Sequence, residues 1–200
     1  MRAPSRVAWG LVAVSTILVG GIAALVSFMT RGKLTLDLGW GRSMHELGPV
    51  VVAVGAPRDM VFDQVASAYL GRTPRAARNH LDVLERGENL VVAAHRTRLR
   101  FYTSVTVEAV GFHRPERVTF RHLRGPVPHA VEEFVFREVG SGSQIEYRGQ
   151  LGIDFWLLGR LAGRYWVRPV WERAVEASLE QIKEGAEKRA SARRRREPNQ

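Results

Sequence analysis

Hydrophobic and polar positions fall into four successive patterns along this chain. From Val7 to Met29 there is no charged side chain, and apolar or small residues would cover every face of a helix. Such a helix is about 34 Å long, against roughly 30 Å for a hydrocarbon core. The pattern predicts one transmembrane helix over 7–29, behind a short flank at 1–6. A cleavable signal peptide is the rival, but its apolar stretch is normally about 7–15 residues and ends in a small-x-small site. Here the run is longer, and Ser27 to Arg31 makes a poor cleavage site.

A juxtamembrane linker, 30–48, follows. Within it Leu34 to Leu38 alternates as a short strand does, until Gly39-Trp-Gly41 breaks the run. Pro49 to Val54 reads as the first full strand. Pro57 opens a helix whose apolar positions Val61, Phe62, Val65, Ala68 and Tyr69 recur at helical spacing until Gly71. Thr73 and Pro74 predict a second short helix through about Asn79, as N-cap and first helical residue. From there to Asp154 the period is two, in runs separated by Gly, Pro or polar turns. From Trp156 to Lys188 it returns to helical: Leu158, Leu161, Ala162 and Tyr165, then Val170, Trp171, Ala174, Val175, Leu179 and Ile182. Pro169 is expected to kink this helix. The stripe fades beyond 189, so 190–200 reads as a disordered basic tail.

Alternation also assigns faces. It groups Phe101, Thr103, Val105, Val107 and Ala109 on one side, and Val118 and Phe120 with His122 and Arg124. It places Glu132 with Phe134 and Phe136, and Tyr147 with Ile145, Leu151 and Ile153. Gln144, Glu146, Arg148 and Gln150 take the opposite, wet face. This is an antiparallel sheet covered on one side.

The order strand, two short helices, curved meander and long helix resembles the START-like, or SRPBCC, superfamily of the polyketide cyclase/dehydrase type, over about Leu47 to Arg189. The segments that carry the likeness are Ala56-Pro-Arg-Asp-Met-Val-Phe62, Arg117-Val-Thr-Phe120, Glu132-Glu-Phe-Val-Phe136 before Gly140-Ser-Gly142, and Trp171-Glu-Arg-Ala-Val175. The resemblance implies an α+β helix-grip fold over 49–189, in which the curved sheet wraps the long C-terminal helix. It also implies an elongated apolar cavity between them for a hydrophobic small molecule or lipid. These motifs specify the fold and carry no catalytic signature.

With the assigned faces, the cavity candidates are Thr103, Val105, Val107, Phe120, His122, Arg124, Glu132, Phe134, Tyr147 and Tyr165. The first functional expectation is a membrane-anchored binder or carrier. The second is an enzyme of the cyclase/dehydrase type, for which Tyr147, His122 and Glu132 are the acid/base set. The third is an accessory subunit of a membrane complex. The loop Gly125-Pro-Val-Pro128 is stiffened by two prolines, as a lip at the cavity mouth or a plain strand connector.

The net charge of +10 raises nucleic acid as a partner. Arginines and lysines recur singly, however, and no nucleic-acid motif accompanies them. The expected partner is instead a membrane with anionic headgroups, met by Arg193, Arg194, Arg195 and Arg196. Trp40, just past the span, suits the lipid interface. The flanking cations nearly balance, and the basic tail inclines the expected topology towards a domain on the cytoplasmic side of the cell membrane. The chain has no cysteine, hence no disulfide framework, and its six scattered histidines lack metal-ligand spacing. No cofactor is expected.

Overall fold

The computed structural model describes residues 6–71, 79–99 and 102–196, with the side chains of the first helix described from residue 15 onward. That helix, α1, runs Arg6–Thr30. Among the described residues no helix is long and apolar enough to cross a membrane. The first third of the expected span thus lies outside the residues whose side chains are described, as do Phe101 and nearly all of the expected short helix after Thr73.

Strand β1 (Ser43–Val54) leads to α2 (Arg58–Leu70) and then to a meander: β2 (Leu81–Arg86), β3 (Leu90–Arg98), β4 (Thr103–His113), β5 (Arg117–Arg124), β6 (His129–Val139) and β7 (Gly142–Ile153). These strands form one antiparallel sheet in the order β1-β7-β6-β5-β4-β3-β2, so the first strand closes onto the last. Helix α3 (Trp156–Ala162), a π-helical turn (Gly163–Val167) and α4 (Arg168–Arg196) follow. Sheet and helices make the helix-grip arrangement.

The core lies between the sheet and α2 with α4. In α2 the residues Val61, Phe62, Val65 and Ala66 are buried, and Phe62 meets Phe136 of β6 edge to face. On α4 the inward stripe is Trp171, Val175, Leu179, Ile182, Ala186 and Ala190, spaced by three or four residues throughout. Because Ala186 and Ala190 are still buried, α4 does not fray at 189 as its composition suggested. Glu187 accepts the Gly55 N–H at 2.8 Å, and Arg194 donates to the Gly55 carbonyl. The basic tail through Arg196 is therefore helix, docked on the turn between β1 and α2. The expected disorder over 190–196 is corrected by these contacts; residues 197–200 lie outside the described part.

Two further expectations change. Leu34 to Leu38 forms no strand, because its polar contacts run elsewhere. Thr35 exchanges hydrogen bonds with the Gly125 backbone, and the N–H groups of Leu38 and Gly39 each donate to Asp154 Oδ2 at 2.9 Å. Strand β1 begins at Ser43 instead of Pro49, so the last third of the linker belongs to the sheet. The helical break falls where proline predicted it, as the π turn that ends two residues before Pro169. Proline lacks an N–H and crowds the carbonyl four residues back, and a wider turn relieves both conflicts.

Candidate functional site

A cavity of about 360 Å³ lies between the sheet and the first half of α4. Its walls are Tyr69 of α2, the inward residues of β3 to β7, Val127 of the β5–β6 loop, and Trp166 to Ser178 of the C-terminal helical stretch. A chain of rings, Phe120 to Phe134 edge to face at 5.2 Å and Phe134 to Tyr147 tilted at 5.8 Å, supplies its apolar floor. Such a size and mixture fit a small amphipathic molecule.

Two polar groups are set into that surface. In the first, Glu132 Oε1 accepts the Trp171 indole N–H at 2.6 Å and the Tyr147 hydroxyl. Burial, reinforced by the charge of Glu108, pushes the Glu132 carboxyl up to about 7. It therefore passes between hydrogen-bond acceptor and donor near neutral pH. In the second, His95 Nδ1 meets Glu108 Oε2 at 2.8 Å, and Tyr69 Oη lies 3.2 Å from His95 Nε2. Burial opposes charge on both partners, but their mutual attraction wins: the His95 pKa is raised and that of Glu108 lowered. Burial also raises the Tyr69 and Tyr147 hydroxyls, so both stay protonated. The cavity thus offers one ion pair, one proton-exchanging carboxyl and two phenols amid aromatic walls.

The expected site residues divide. Phe120, Glu132, Phe134 and Tyr147 line the cavity together. On β4 the face assignment is inverted. Ser104, Thr106 and Glu108 point into the cavity, whereas Thr103, Val105 and Val107 lie on the opposite face. The reason is a second cover, since Gly32 in the strap after α1 packs on Val105 and keeps apolar residues useful there. Arg124 is moved by a bulge. Val107 pairs with Arg124 but Glu108 with His122, so Leu123 is the extra residue and Arg124 turns outward. His122 keeps the expected face yet sits beneath Gly125, outside the cavity lining, where burial lowers its pKa. Tyr165 is exposed, and within the π turn it is Trp166 that reaches the cavity.

His95, Glu108, Tyr69 and Trp171 were not among the expected site residues. The alternation Val91, Ala93, His95, Thr97 in β3 carried a signal for the first, because Val91 and Ala93 are fully buried on that same face. The other three depend on which strands and helices meet.

No protein-family model matches the chain, and no curated protein does. Solved structures do match. The di-domain ARO/CYC StfQ from the steffimycin biosynthetic pathway aligns with a TM-score of 0.59 and 19% identity, over 75% of this chain and 52% of that one. This chain therefore spans about half of the di-domain protein. The Zhui aromatase/cyclase from Streptomyces sp. R1128 gives 0.54 and 15%, over 76% and 95% of the two chains. TTHA0849 from Thermus thermophilus gives 0.56 and 15%, over 72% and 96%. At these identities the likeness defines the fold: this is a helix-grip protein with an open, polar-studded cavity.

Proposed function

We propose that the chain is a membrane-tethered binding module for an amphipathic hydrophobic molecule, a lipid or a small polycyclic compound. One observation carries this reading. An aromatic-walled cavity of about 360 Å³ holds Glu132, poised between donor and acceptor, with the His95–Glu108 pair across the same space. An apolar ligand body fits the rings, and a hydroxyl or carbonyl on it meets those groups. Helix α1 is the tether: its backbone is helical over Arg6–Thr30, and the run Val7 to Met29 is uncharged. A bilayer tether suits a ligand that partitions into lipid.

Glu132 favours a second reading, an enzyme of the cyclase/dehydrase type. A carboxyl titrating near 7 beside Tyr147, with His95 in the same cavity, suits proton transfer. StfQ and Zhui, named as aromatase/cyclases, share the fold.

The test is saturable binding of a polarity-sensitive naphthalene sulfonate dye, read by fluorescence. Ala174 of α4 lines the cavity, so Ala174→Trp fills it. Dye binding is expected to fall at least tenfold with thermal unfolding nearly unchanged. If wild-type protein shows no saturable site, the binding reading fails and the accessory-subunit role takes its place. Turnover of a ligand identified in this way, lost in Glu132→Gln, would move the assignment to the enzyme.

A further inference from the structure

The segment from Phe155 to Trp166 is the least water-adapted surface among the described residues of the domain. Leu158 is 75% exposed, Trp166 70% and Trp156 65%, and Leu157 and Tyr165 are also more than half exposed. Contiguous apolar area of this kind marks an interaction site. Phe155 and Trp156 both adopt positive φ, 78° and 45°, which bulky side chains avoid. Backbone bonds hold them there, from Phe155 N–H to the Trp40 carbonyl at 2.7 Å and from Trp156 N–H to the Gly41 carbonyl at 2.9 Å. Those bonds bring Trp40, itself 60% exposed, beside the patch.

Within the segment itself the charges have one sign. Between Asp154 and Glu172 the chain holds Arg160, Arg164 and Arg168 and no acidic residue. Exposed Trp, Leu and Tyr interleaved with arginine is the composition of a helix lying in a bilayer interface, with guanidinium groups at anionic headgroups.

The position within the fold agrees. The strap that leaves α1 packs on Val105, bonds Gly125 and then Asp154, so the helix emerges at the same end of the sheet as α3. The described outer residues of α1, including Ile17, Leu18 and Val19, are exposed as well. Trp166 belongs both to this surface and to the cavity wall, and Tyr102 and Pro126 line the cavity at that end. The tail arginines lie elsewhere: Arg194 bonds Gly55, at the far end of β1. Arg168 and Arg194 are 26 residues apart on one helix, about 39 Å, several times a Debye length of about 8 Å.

We propose that Trp40 and the Phe155–Trp166 segment form a docking surface for an anionic lipid bilayer, which seats the cavity mouth against the membrane. The purpose of this surface rests on the tethered-binder reading. Ligand then passes between lipid and cavity without crossing water, and Arg160 and Arg164, not the tail, read the headgroups.

The absence of cysteine allows a direct test on the full chain. Leu158→Cys and, at the opposite end, Val139→Cys are each labelled with an environment-sensitive fluorophore. The labelled proteins are reconstituted into nanodiscs of phosphatidylcholine with phosphatidylserine, some carrying a nitroxide-labelled lipid. The label at 158 is expected to shift to the blue and be quenched severalfold more than the label at 139. Arg160→Glu with Arg164→Glu, or omission of phosphatidylserine, is expected to remove most of that difference. Equal quenching at 158 and 139 in anionic discs overturns the proposal. Membrane pelleting and dye binding by the same variants report the tether and the cavity separately. Quenching at 158 in protein that salt washes off the membrane supports the surface and removes the tether, whereas loss of dye binding alone concerns the cavity.

Discussion

Glu132 is the residue on which the chemistry of the cavity turns. Its folded pKa of about 7 exceeds the ordinary value of 4.5, chiefly because burial penalises the charged form. Between these values the folded protein holds a proton that the unfolded chain has lost. The contribution of this group to stability is therefore full below about pH 4.5 and declines as pH rises towards 7. Glu132→Gln keeps the side-chain shape and cannot ionise. Relative to wild type it is expected to gain stability between pH 5 and 8, by about 1–3 kcal/mol. Urea denaturation of the two proteins at several pH values measures this. A parallel pH dependence would mean that Glu132 is already ionised throughout. The Glu132 charge also helps to raise the His95 pKa, so the difference between the two proteins reports Glu132 together with its effect on the His95–Glu108 pair.

At the scale of elements, the critical piece is α3 with its π turn, because it links the sheet to α4 while exposing its rings. Gly159 is its one buried residue, set against the backbone of Asp154, where a Cβ would collide with the carbonyl. The neighbouring carboxylate of Asp154 is fixed as well, by Arg42 Nε at 2.8 Å and by the Leu38 and Gly39 N–H groups, so this corner has little freedom to yield. Gly159→Ala is thus expected to cost about 1–3 kcal/mol by overpacking. Leu158→Ala, one residue away but exposed, is expected to stay within about 0.5 kcal/mol in solution. Chemical denaturation of both variants makes the comparison. A mild Gly159→Ala would show that α3 floats free of the sheet, and the docking surface would lose its rigid base.

For the molecule as a whole, the end of α1, the exposed Phe155–Trp166 segment and the cavity residues Tyr102 and Pro126 lie at one end of the sheet. Full-length protein is expected to remain with membranes through high salt and alkaline carbonate and to need detergent for release. Removing residues 1–30 is expected to convert this to salt-sensitive attachment through Arg160 and Arg164. Release of the full-length chain by salt alone would refute the tether. The proposed cytoplasmic placement is checked in sealed spheroplasts, where added protease is expected to spare the domain; digestion from outside would reverse it.

Periodicity in the sequence determined the first helix of the domain, the antiparallel meander and the long C-terminal helical stretch, the inward set Phe120, Glu132, Phe134 and Tyr147, and the break near Pro169. Each of these follows from local spacing, since a strand alternates at period two and a proline acts on its own turn. Tertiary structure alone decided which face of β4 is interior, because Val105 finds a second cover in the strap after α1. It likewise decided the outward turn of Arg124, which one extra residue at Leu123 produces against β4. It replaced Tyr165 with Trp166, since both lie within the π turn, whose wider winding departs from the α-helical phase that the sequence pattern assumed. It also joined Glu132 to Trp171 and His95 to Glu108. Pairings of that kind form when separate elements meet in three dimensions, and spacing along a single strand or helix does not encode them.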